Sequence, residues 1–78
     1  MKLSASHKKV LHHLALRFPA TVSPASIGAE VNGEGAKWAA PICAKLNEKK
    51  LIDRNELGHY RINDDGIAAL RETMGDKD

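Results

Sequence analysis

The sequence has little cysteine and no long apolar run, and each shortage excludes a class of protein. Cys43 is the only cysteine among 78 residues, so an intramolecular disulfide and a zinc site of several thiolates are both excluded. A single thiol is typical of a reducing compartment and predicts a cytoplasmic location. The apolar runs are far shorter than the ~20 residues that cross a bilayer, and residues 1–7 lack the apolar core of a signal peptide. We therefore expect one domain without a membrane partner.

Acidic residues are absent from the first 29 positions, and the charge is unevenly distributed. Residues 1–62 contain ten basic and five acidic residues, a net charge of +5, whereas residues 63–78 contain two basic and five acidic residues, a net charge of −3. Such asymmetry is typical of a basic surface that binds a polyanion. The same charges would also serve an ordinary solvated surface.

Motifs for catalysis and for cofactor binding are missing as well. Cys43 is on the apolar side of a predicted helix with no histidine placed to activate it, which favours a buried thiol. Residues 33–35 lack the spacing of a phosphate-binding loop. His12 and His13 are adjacent and point about 100° apart on a helix, so they cannot easily chelate a metal together. The sequence therefore predicts a protein that is not an enzyme and that has no cofactor or metal.

Two helices are predicted in the first half of the chain. Residues 6–18 have apolar residues at helical spacing, and Pro19 ends that helix. Residues 21–22 are β-prone and predict a short edge strand. The second helix begins with Ser23 as N-cap, followed by a proline at the first helical position, and ends at residues 32–33, which are Asn-Gly.

A third helix is predicted from about Ala36 to Lys50. Its apolar side comprises Ala39, Ile42, Cys43 and Leu46. Pro41 would remove a hydrogen bond from the helix interior, so the sequence predicts either a start near Lys37 or Trp38 or a bend at the proline.

A hairpin and a last helix are predicted to complete the chain. Residues 51–54 and 59–62 are strand-like and are joined by a turn at residues 55–58. Alternation in the second strand predicts an apolar face and a cationic face containing Arg61. Asn63 is predicted to cap the last helix. The buried side of that helix comprises Ile67, Leu70 and Met74.

Four stretches of this pattern carry a resemblance to a known fold. They are KKVLHHLALRF, SPASIGAEVNG, ICAKLNEKKLIDR and YRINDDGIAAL. Together they resemble a winged helix-turn-helix DNA-binding domain of the MarR-like and ArsR-like transcriptional regulator type. The resemblance implies an α+β fold, a small winged helix with a three-helix helix-turn-helix core, a two- or three-stranded β-wing and a C-terminal helix. We expect a single domain over residues 1–78, with residues 76–78 as a frayed tail.

The resemblance implies a small transcriptional regulator that binds double-stranded DNA through the third helix and the wing. The exposed positions at the start of that helix are Gly35, Ala36, Lys37, Trp38, Ala40 and Pro41. Among them only Lys37 can address guanine, so phosphate contacts are expected to dominate the affinity. The candidate phosphate-binding residues are Lys8, Lys9, Lys37, Lys45, Lys49, Lys50, Arg54 and Arg61.

Two questions stay open at the level of sequence. Trp38 is a candidate DNA-binding residue that could stack on DNA or bind a protein partner, and it could equally be a core residue. The exposed start of the third helix has few side chains that could hydrogen-bond to bases, and the wing tip at residues 55–58 has no arginine or lysine. Both features favour a winged-helix protein-protein interaction module as the alternative function. A homodimer formed through the first and last helices is a further expectation for its partners.

Overall fold

Four helices and one antiparallel pair of strands account for most of the chain. The computed structural model describes the backbone of residues 3–75 and the side chains of residues 3–72. The elements are α1 (Ala5–Arg17), α2 (Pro24–Val31), α3 (Ala36–Glu48), β1 (Ile52–Arg54), β2 (Tyr60–Ile62) and α4 (Asp64–Gly75). This confirms the predicted small α+β fold. Within residues 3–75 no helix has the length and apolar character needed to cross a membrane.

Side-chain caps fix the starts of α1 and α2. The Ser4 hydroxyl accepts a hydrogen bond from the His7 N–H at 3.2 Å, and the Ser23 hydroxyl accepts one from the Ser26 N–H at 3.2 Å. Each satisfies a backbone donor that has no partner within its helix. The predicted start of α2 is confirmed, and the predicted edge strand is reduced to one bridge, in which Val22 pairs with Tyr60.

The structure confirms the predicted start of α3 at Ala36 and corrects its predicted end. Pro41 lies in the interior of the helix, so the alternative of a start near Lys37 or Trp38 is wrong. Pro41 cannot donate a hydrogen bond to the Lys37 carbonyl, and both residues are exposed. The predicted end at Lys50 is wrong, because α3 ends at Glu48 and Lys50 has a φ of 64°.

A Schellman turn produces this early end of α3. The Leu51 N–H donates to the Leu46 carbonyl at 3.1 Å, and the Lys50 N–H donates to the Asn47 carbonyl at 2.9 Å. Leu46 and Leu51 are both buried in the core, at the two positions where a Schellman turn usually has apolar residues. The turn directs the chain from α3 straight into β1.

Helices α2 and α3 approach each other backbone to backbone. Gly28 is buried, and a Cβ atom placed on it would lie 1.8 Å from the Gly35 carbonyl oxygen. Gly35 immediately precedes α3 and has a φ of 73°. The angle and spacing of the helix pair therefore depend on the absence of a side chain at Gly28.

The hairpin has the predicted turn. In the register of its strands Asp53 faces Arg61. The Asn55 side-chain oxygen accepts hydrogen bonds from the N–H groups of Leu57 and His59, each at 2.9 Å, and Gly58 has a φ of 80°. The buried residues of the strands are Ile52, Tyr60 and Ile62. This apolar face confirms the predicted alternation on the inner side of the hairpin.

Asn63 links α4 to the hairpin and to the end of α3. Its side-chain oxygen accepts from the Gly66 N–H at 2.8 Å, which confirms it as the N-cap of α4. Its amide nitrogen donates to the Lys50 carbonyl at 3.0 Å and to an Asp53 carboxylate oxygen at 3.2 Å. Leu70 is buried as predicted; the Met74 side chain and residues 76–78 lie outside the described part of the chain.

Substitutions of Asn63 separate these two roles. Asn63→Ala loses the cap and both donors, and we expect it to lower the free energy of unfolding by about 2 kcal/mol. Asn63→Asp keeps the acceptor but sets a carboxylate beside Asp53, and we expect a loss of about 1 kcal/mol. Urea denaturation followed by circular dichroism measures both. Equal stability of Asn63→Asp and the parent protein would show that the amide donors contribute nothing.

The core lies between α1, α2, α3 and the inner face of the hairpin. Cys43 is fully buried on α3, as predicted, and burial raises the pKa of its thiol to about 11. The fully buried large side chains around it are Val10, Leu11, Leu14, Ile27, Leu46, Ile52 and Ile62. A thiol in such surroundings acts as a small apolar side chain.

Candidate nucleic-acid interface

The solvent side of α3 combines two lysines with a surface of small residues. Lys37 and Lys45 are both exposed and are eight residues apart, which is about 12 Å along a helix. The exposed residues between them are Ala40, Pro41 and Ala44. None of these has a hydrogen-bonding side chain, so this face offers charge and close approach rather than base recognition. Glu48 is also exposed on this helix and was not among the residues singled out from the sequence.

Trp38 lies at the edge of the core. Its side chain is half-buried and packs against the buried cluster. When the Asn32 amide is oriented to satisfy both neighbours, its oxygen accepts from the Trp38 indole N–H at 3.2 Å and its nitrogen donates to Glu34 at 2.7 Å. The hydrogen bond from the indole therefore stabilises the turn between α2 and α3. The packing of Trp38 favours its interpretation as a core residue.

His7 on α1 is influenced by the charges of two lysines at the C-terminal end of α3. Its Nδ1 atom is in hydrogen-bond contact with the Ser4 hydroxyl, and its Nε2 atom is enclosed without a hydrogen-bond partner among the described residues. Burial lowers the pKa of His7, and the positive charges of Lys49 and Lys45 lower it further. His7 was not predicted from the sequence, because only the packing of α1 against α3 brings it beside these lysines.

Lys8 and Lys9 lie on another side of α1. With His12 and Leu70 they line a shallow hollow of about 270 Å³ between α1 and α4. Lys9 is exposed and Lys8 is half-buried. Successive helical residues differ in direction by about 100°. His7, Lys8 and Lys9 therefore point to different sides of α1, and they do not form one row with the lysines of α3.

The outer face of the hairpin presents Arg61, as the alternation predicted. Arg61 lies 3.7 Å from the Asp53 carboxylate on the opposite strand, so its charge is partly offset. Arg54 is exposed, and its guanidinium group lies over Gly58 near the turn. The turn itself presents Leu57, of which 78% is exposed.

Ion pairs distinguish the basic residues from one another. Arg17 on α1 is paired with Glu30 on α2, a contact that the sequence did not predict. Among the described residues, the candidates that form no ion pair are Lys8, Lys9, Lys37, Lys45, Lys49, Lys50 and Arg54. Their charges are available to an external anion, whereas those of Arg17 and Arg61 are partly offset.

Neither a metal-binding cluster nor a known relative identifies the function of this surface. No group of three or more His, Cys, Asp or Glu side chains among the described residues could hold a metal ion. Comparison with known protein families, with curated proteins and with solved structures finds no match to this chain. The functional conclusion therefore depends on the positions and charges of the side chains described above.

Proposed function

We propose that the protein is a small winged-helix DNA-binding protein, a transcriptional regulator that holds duplex DNA chiefly by its phosphates. The observation that carries the proposal is the set of lysines on α3 that have no acidic partner among the described residues. These lysines lie on the second helix of a closely packed pair, directly before a hairpin. That order matches a recognition helix followed by a wing.

The small side chains of α3 favour a close approach to the groove. The side chains of Ala40, Pro41 and Ala44 are short, so the backbone of α3 can come close to the floor of the DNA groove. The flanking Lys37 and Lys45 can then reach phosphates on the two edges of that groove. Arg54 on the hairpin would add a contact to the neighbouring backbone. Since Lys37 alone can address a base edge, affinity should depend strongly on salt and weakly on sequence.

A salt titration tests the proposal. Fluorescence anisotropy with a labelled random-sequence duplex of about two helical turns is measured at about 50 and about 200 mM NaCl. With about four phosphate contacts we expect the affinity to fall about a hundredfold between these concentrations. Absence of binding at the lower concentration would contradict the proposal.

Exposed apolar residues favour a second candidate function, a winged-helix protein-protein interaction module. Leu16 is 71% exposed and Phe18 47% exposed at the end of α1, and Leu57 projects from the hairpin. Of these, Phe18 has the aromatic side chain that is enriched at protein interfaces. Failure to bind DNA together with normal folding would favour this second function.

A further inference from the structure

The residues before α1 are joined to the first turn of that helix by Ser4. Leu3 precedes the helix and is buried, with 6% of its surface exposed. The Ser4 carbonyl accepts a hydrogen bond from the Lys8 N–H at 3.0 Å, and the Ser4 hydroxyl caps the helix at the His7 N–H. The same hydroxyl is in hydrogen-bond contact with Nδ1 of the His7 imidazole. The position of the His7 ring is therefore coupled to the cap of α1 and to the burial of Leu3.

The His7 ring suits this position in its neutral form. The single ring hydrogen can lie on Nδ1 and be donated to the Ser4 hydroxyl, which leaves only a lone pair on Nε2. Protonation adds a hydrogen and a positive charge at Nε2, which the protein encloses and for which no described residue supplies an acceptor. An enclosed charged donor without an acceptor is costly, whereas water satisfies it once the ring is released. Protonation of His7 therefore favours release of the ring from Ser4.

The charges around His7 act in the same direction. Burial lowers the pKa of the ring, and the positive charges of Lys49 and Lys45 lower it further. The other charged groups on the elements packed against α1 form no ion pair with His7 within the described part of the chain, and none of them contributes to this shift. They are Glu30 of α2, Lys37 and Glu48 of α3, Arg61 of β2, and Asp64, Asp65, Arg71 and Glu72 of α4.

We propose that residues 3–7 form a pH-sensitive switch, in which protonation of His7 releases the cap of α1 and exposes Leu3. Val10, Leu11 and Leu14 are fully buried and keep the rest of α1 in the core, so the change is confined to the start of the helix. The switch does not depend on DNA, and it would operate equally in a protein that binds a protein partner.

The released form is favoured as the pH falls. When residues 3–7 are released, His7 has its ordinary pKa of about 6.5, and when they are packed its pKa is lower. The packed form therefore has its full stability above about pH 6.5 and loses stability as the pH falls from there toward the lower pKa. Uptake of one proton changes the equilibrium by at most about tenfold per pH unit.

Hydrogen exchange of the full chain tests the switch. The Lys8 amide reports the first turn of α1, and its protection is measured by millisecond exchange with NMR detection at about pH 5.6 and about pH 7.4. We expect its protection factor, corrected for the intrinsic effect of pH on exchange, to be about fivefold lower at the lower pH. The Leu14 amide, in the core, should change by less than about twofold. His7→Gln should abolish the pH dependence at Lys8, and His12→Gln, which removes an exposed histidine from the same helix, should keep it.

A titration of the parent protein tests the switch without any substitution. NMR of the imidazole protons gives the pKa of His7, and we expect a value below about 6.5. A His7 pKa at or above that value would overturn the switch. Unchanged protection at Lys8 would overturn it too, as would an equal loss at Leu14, which indicates unfolding of the whole domain. A pH dependence at Lys8 that persists in His7→Gln would assign the effect to another group, such as the buried His13, and would also overturn it.

Discussion

Gly28→Ala is expected to destabilise the protein by about 3 kcal/mol. The new Cβ would lie 1.8 Å from the Gly35 carbonyl oxygen, 2.4 Å from the carbonyl carbon and 2.8 Å from its Cα atom. All three are backbone atoms, so no side-chain rotation relieves the overlap, and α2 must move away from the start of α3. Since a domain of this size has about 4–12 kcal/mol of stability in all, thermal unfolding should shift down by about 10–25 °C.

Helix propensity alone predicts that Gly28→Ala stabilises the protein, whereas the contact with Gly35 predicts that it destabilises the protein. The measured change in the free energy of unfolding therefore distinguishes the two. At a helix position without tertiary contact, Gly→Ala stabilises by about 1 kcal/mol. Gly33→Ala is the control, because Gly33 has a φ of 84° and a Cβ atom placed on it would meet no described atom within 4 Å. We expect that control to cost about 1 kcal/mol from backbone strain alone. A Gly28→Ala protein at least as stable as the parent would contradict the observed contact between α2 and α3.

Helix starts were predicted well because their causes are local. Ser23 and Asn63 each cap a helix through the backbone N–H three residues later, so the signal and its partner lie within one turn. The turn at residues 55–58 is similar, since Asn55 and Gly58 supply the conformation themselves. The end of α3 was missed because Lys50, and not a glycine, adopts the left-handed conformation.

The grouping of charges could not be predicted, because it depends on contacts between distant segments. Each lysine of the candidate interface was identified from the sequence, but the pairing of Arg61 with Asp53 depends on strand register. The proximity of His7 to the end of α3 depends on how α1 packs. Gly28 did give a local hint, since an isolated glycine within a helical pattern often marks a close approach.

Neutralising the lysines on α3 and at its C-cap is expected to have the largest effect on DNA binding. Each phosphate contact contributes about 0.9 to the slope of log affinity against log salt, or about eightfold in affinity near 0.1 M. Replacing Lys37, Lys45 and Lys49 together by glutamine should therefore weaken duplex binding by about 500-fold and reduce the slope by about 2.7. All three side chains are exposed, so circular dichroism should show unchanged folding.

The ion-paired arginines provide the matched control for this lysine variant. Arg17→Gln and Arg61→Gln remove the same formal charge per residue, but Glu30 and Asp53 already offset those charges. We expect each to weaken binding by less than about threefold. If the arginine variants lose as much affinity per charge as the lysine variant, net charge alone governs binding, and α3 has no special role in it. If only the lysine variant loses affinity, the anion lies against α3, because a uniform field would not distinguish paired from unpaired cations.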